Sequence, residues 1–95
     1  MEIELGKPIS EDLSANLKEY TSKDDRADIS AVTDVSISLL SDITYRARSI
    51  TESNKKGLIS LIERASENAS KQEKHARKCK NNLKTLLDHV TRIRN

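Results

Sequence analysis

The sequence predicts an all-α chain, and three observations carry that prediction. Taking Ile62 as heptad position a, the successive a and d sites are Ile62, Ala65, Ala69, Gln72, Ala76, Cys79, Leu83, Leu86, Val90 and Ile93. Only Gln72 is polar, and a helix with this spacing presents one narrow apolar seam along its length. With no Phe or Trp and only 2 Tyr, any core must be made of Leu, Ile, Val and Ala, a diet that helix seams tolerate well. The chain's 2 Gly and 1 Pro are too few for the many turns of a β-rich fold. The expected architecture is a long antiparallel helical hairpin, coiled-coil-like, with a short N-terminal helix that closes a three-helix bundle if it covers the hairpin. At 95 residues this is a single, thin domain.

Taken in order, residues 1–8 read as a flexible lead ending in Gly6-Lys7-Pro8, followed by one helical domain over 9–95. A first helix is expected at about 10–21, with Ser10 as N-cap and Glu11 and Asp12 set favourably against the helix dipole. Its apolar face is Ile9, Leu13, Leu17 and Tyr20. The polar run Thr21 to Asp25 forms a turn and supplies the cap of the next helix. A second helix is expected at about 25–53, with Ile29, Val32, Ser36, Leu39, Ile43 and Ile50 on its seam and Arg46 at one d site. Ser and Thr are so frequent there that packing rather than propensity must hold it. Asn54-Lys55-Lys56-Gly57 reads as the tip of the hairpin, and the third helix runs from about 57 to 94. Folding there sets Ala69, Gln72 and Ala76 opposite Asp42, Leu39 and Val35. The bulky end from Leu83 to Ile93 then outruns its internal partner, so that either the first helix or another chain must cover it.

Function classes are narrowed mainly by exclusion. The N-terminus is acidic with no apolar stretch behind it, unlike a signal peptide, and no run approaches the roughly 18 apolar residues of a membrane helix. A single cysteine fits a reducing compartment, so a cytoplasmic protein is expected, without membrane contact. No P-loop, dinucleotide fingerprint or nucleophile elbow occurs. Asp88 and His89 are adjacent and so cannot face each other on a helix. His75 and Cys79, at i and i+4, make half of a zinc site whose other half is missing. A non-enzyme without cofactor or metal is the expectation.

Two surface features suggest binding instead. The extra apolar width of the second helix (Ile37, Leu40), together with the overhang (Leu86, Leu87, Val90, Ile93), suits another helical protein or a second copy of the chain. Adaptor, escort or chaperone, and assembly subunit are the roles this fits. The alternative is an anion site: Lys71, Lys74, Arg77, Lys78, Lys80 and Lys84 form a basic outer stripe suited to phosphates, although no aromatic residue accompanies it for base stacking. Charge is split along the chain, with 6 Lys/Arg against 11 Asp/Glu in residues 1–54 and 11 against 4 in residues 55–95. The acidic set Glu11, Asp12, Glu19, Asp24, Asp25 and Asp28 leaves open a third reading, a small inhibitor of a partner enzyme. In outline the chain resembles small hairpin subunits and co-chaperones of bacterial secretion machines, and equally small phage proteins that block a host enzyme; that likeness is one of fold alone.

Overall fold

The structure is a computed structural model in which residues 3–94 are described; the side chains of Ile93 and Arg94 lie outside that description. Four helices follow one another: α1 (Glu11–Tyr20), α2 (Lys23–Thr33), α3 (Ile37–Thr44) and α4 (Lys55–Arg94). The fold is all-helical, as the composition requires, with the long C-terminal helix lying against the shorter ones.

Local chemistry sets the boundaries. Leu13 donates its backbone N–H to Ser10 Oγ at 3.1 Å, the cap expected for α1. Ser22 opens α2 with a full capping box: its hydroxyl accepts from the Asp25 N–H, and the Asp25 carboxylate accepts from the Ser22 N–H at 2.9 Å. The expected helix over 25–53 is where structure and sequence part. Asp34 takes the left-handed conformation (φ 61°) and ends α2, and Ser36 starts α3 by accepting from the Leu39 N–H at 3.1 Å. A second left-handed residue, Arg46 (φ 63°), follows the end of α3, so residues 45–54 are loop rather than helix. Arg46 holds that loop by donating Nε–H to the Ile9 carbonyl at 2.8 Å, instead of filling a seam site.

The hairpin tip is also built differently. Thr51 and Asn54 exchange hydrogen bonds, with the Thr51 N–H donating to Asn54 Oδ1 at 2.8 Å and the Asn54 N–H to Thr51 Oγ1 at 3.3 Å. Asn54 also donates Nδ2–H to the Ser49 carbonyl at 3.1 Å, and this knot leads directly into α4. Gly57, expected as a C-capping residue, sits inside α4 instead. Its role is close approach: a Cβ there would lie 2.8 Å from Leu40 Cδ2 and 3.2 Å from both methyls of Val35. The lead expected to be flexible is tied down within its described part. Gly6 N–H donates to the Ile50 carbonyl at 2.7 Å, Ile50 N–H to the Lys7 carbonyl at 2.9 Å, and Ile3 packs on the core.

The buried apolar core consists of Ile9, Leu13, Leu17, Ile29, Val35, Leu40, Ile43, Ile50, Leu58, Leu61 and Ala65. At roughly 1.5–3 kcal/mol per fully buried aliphatic side chain, this set holds the four elements together. Its last member is Ala65, whereas α4 continues to Arg94. The result is an elongated molecule of 65 × 25 × 16 Å.

Candidate functional site: the projecting half of α4

The first half of α4 is clamped from two sides. Asp25 and Arg64 form an ion pair at 2.7 Å, and Asp28 lies 3.6 Å from the same guanidinium. Asn68 donates Nδ2–H to the Tyr20 carbonyl at 2.7 Å and to Asp25 Oδ2 at 3.1 Å. Burial pushes the Asp25 carboxyl up, but hydrogen bonds from the Ser22 backbone and from Arg64 outweigh it and leave the group below the ordinary carboxylate range. The hydrogen bond to Asp25, opposed by burial, raises the Arg64 guanidinium in turn. These clamps place α2 against residues 60–68 of α4, much nearer its start than the expected register. Ala69, expected opposite Asp42, lies instead beside Leu17 and Tyr20 of α1. The first helix therefore covers the middle of α4 and not its far end.

Beyond Gln72, among the described residues, every side-chain hydrogen bond of α4 stays within the helix. The heptad nevertheless runs on. Leu83 (60% exposed), Leu86 (57%), Leu87 (66%) and Val90 (41%) stand in solvent. Leu86 occupies the d site that holds Ala65 and Leu58 in the core three and four heptads earlier, and Leu83 and Val90 occupy the a site of Ile62, which packs on that core; Leu87 lies beside them at e. Ile93 continues the stripe in sequence, but its side chain is outside the described residues. On the shorter helices Ile37 is exposed, while Leu40 is fully buried against Gly57. The break at Asp34 turns α3 so that Leu40 faces α4, which withdraws it from the docking surface expected of it.

The basic residues Lys71, Lys74, Arg77, Lys78, Lys80 and Lys84 are all exposed on the same projecting half, and Arg77 pairs with Glu73 at 3.1 Å. Several acidic residues are engaged internally instead: Asp25 and Asp28 with Arg64, and Glu11 with Arg46 at 3.4 Å. Cys79 Sγ lies 3.5 Å from His75 Nε2, one turn apart, but among the described residues no three His, Cys, Asp or Glu side chains converge on a common point. No helix among them is long and apolar enough to cross a membrane.

Comparison of the chain with protein families, with curated proteins and with solved structures gives no match. The functional reading therefore stands on the projecting half itself. The sequence located its apolar residues; it misjudged where the half begins, because nothing in the spacing shows that residues 45–54 leave the helix.

Proposed function

We propose that this chain is a non-enzymatic protein–protein interaction module, an adaptor, escort or assembly subunit, acting through the apolar stripe of the projecting half of α4. One observation carries this reading: the core ends at Ala65 while the heptad continues, leaving Leu83, Leu86, Leu87 and Val90 in water on an extended helix. Four large aliphatic side chains on one helical stripe are what an apolar groove or a second helix accepts. Most helical stability in proteins comes from packing of an apolar face, so a partner stabilises the projecting half as well as covering it. Replacing Leu86 and Val90 together by Asp is expected to abolish partner capture, read by affinity pull-down from the native cell, while the unfolding of the core is unchanged. Capture that survives this double replacement removes the stripe as the binding surface.

A second reading rests on the six exposed cations of the same half, which suit a polyanion such as nucleic acid. Replacing Lys74, Arg77 and Lys78 by Glu is then expected to abolish a gel shift that otherwise weakens steeply with salt. A shift unaffected by the triple replacement overturns that alternative.

A further inference from the structure

Between α1 and α4 runs an apolar groove of about 360 Å³ lined by Leu13, Leu17, Tyr20, Ile62, Ala65 and Ala69. Its α4 wall carries Ile62 and Ala69 at a and Ser66 at e. The same side of the projecting half carries Leu83 and Val90 at a and Leu87 at e. One helix thus holds a slender, apolar-walled stretch and a bulky, uncovered one on a single stripe. We propose that the groove is filled by a second copy of this chain, the two α4 helices lying antiparallel so that each bulky end docks beside the partner's α1. This inference rests on the interaction reading above and names its partner.

The heptad sets the register, because antiparallel helices place a opposite d. Ala65 then meets Val90 of the second copy, Ala69 meets Leu86, Gln72 meets Leu83 and Ala76 meets Cys79. Large side chains fall on small ones in the outer layers, the complementarity that close packing needs. The e sites face each other as well. Leu87, which a strict a/d seam leaves unexplained, falls on Ser66 at the groove. Glu73 falls on Lys80 of the second copy, and by two-fold symmetry the pair occurs twice. Among the described residues Glu73 accepts only from Arg77, at 3.1 Å on the exposed surface, and its carboxylate has room for a second donor. A parallel pair instead sets Ala76 on Ala76 and Leu83 on Leu83, places His75 rather than an acid beside Lys80, and leaves the groove empty.

The test uses the full chain with Cys79→Ser and Arg92→Cys, spin-labelled at position 92, an exposed site. Light scattering should give twice the 10.7 kDa chain mass. In the antiparallel register residue 92 lies opposite about residue 63, which at 1.5 Å per residue puts the two labels about 40 Å apart. Lys80→Glu should weaken association on the order of tenfold, and adding Glu73→Lys should restore it, since residues 73 and 80 of one chain are two helical turns apart and correct each other only across the dimer. A strict monomer at about 100 μM, well above a micromolar dissociation constant, overturns the inference. So do labels lying close together, the parallel result, and a charge reversal without rescue. A monomer that is still captured through Leu86 and Val90 keeps the interaction reading and removes only the second copy as its partner.

Discussion

The two halves of α4 share one helix and one heptad, yet differ in everything tertiary. In the first half Leu58 and Leu61 are completely buried, Gly57 lets α3 approach to contact, and Arg64 and Asn68 are fastened to α1 and α2. In the second half Leu83, Leu86, Leu87 and Val90 hold the corresponding sequence pattern in solvent. A heptad therefore specifies that a seam exists and which residues form it. It does not specify what fills the seam. That depends on how far the rest of the chain reaches, and here three short helices reach only to about residue 72.

The sharpest way to break this comparison is to truncate one leucine in each half. Leu61→Ala is expected to cost about 2–5 kcal/mol of unfolding free energy, because the side chain is fully enclosed and leaves a cavity. Leu83→Ala, measured in dilute solution, should change core stability by less than about 0.5 kcal/mol. Similar losses by denaturant unfolding would mean that the two halves are not distinct. Next in size is Gly57→Val, which forces methyl groups into space held by Leu40 and Val35. Overpacking of this kind costs about 1–3 kcal/mol and is read by the same unfolding curves. A neutral result would show that α3 is free to shift away from α4.

A smaller loss than that at Gly57 tests the boundary between the halves. Asp25→Asn removes the charge that caps α2 and grips Arg64, at an expected cost of about 1 kcal/mol near pH 7. The sign with pH follows from the depressed carboxyl. Its contribution is fully present above its unfolded value of about 4 and is lost as pH falls through the lower folded value. The gap between the native chain and the Asn variant should accordingly narrow below about pH 4. Thermal unfolding at a series of pH values checks this, and a constant gap would point to Arg64 holding α4 without help from Asp25.

Much of the fold was legible in the residues themselves. Ser10 and the Thr21–Asp25 turn announced α1 and the start of α2 through capping chemistry, which is local and survives without tertiary knowledge. The break at Asp34 was hidden because Ile29, Val32, Ser36 and Leu39 keep helical spacing straight across it, and spacing is blind to one left-handed residue. The signal available was Thr33-Asp34 followed by Ser36, a residue tolerant of the left-handed region placed just before a good N-cap. Asn54 and Gly57 read in the sequence as a C-capping hairpin tip, whereas Asn54 ties the loop to Thr51 and Ser49. Gly57 serves a close crossing, visible only once Leu40 is placed beside it. The overhang of Leu86, Leu87 and Val90 follows in the sequence from a hairpin register that the structure replaces, and the three are exposed because α1 and α2 pack nearer the start of α4, whereas Leu40 is misplaced with the broken helix.

Asn68 has a mechanical consequence out of proportion to its two hydrogen bonds. From it the helix runs on to Arg94, unsupported after about residue 72, a rod of about 39 Å at 1.5 Å per residue. Such a rod behaves as a cantilever whose root is set by the grip of Asn68 on the Tyr20 carbonyl and Asp25, at 2.7 and 3.1 Å. Loosening the root by about 10° swings the tip by about 6–7 Å, more than one helical turn. The aim of the far leucines is decided at the root, by an amide side chain that never touches them.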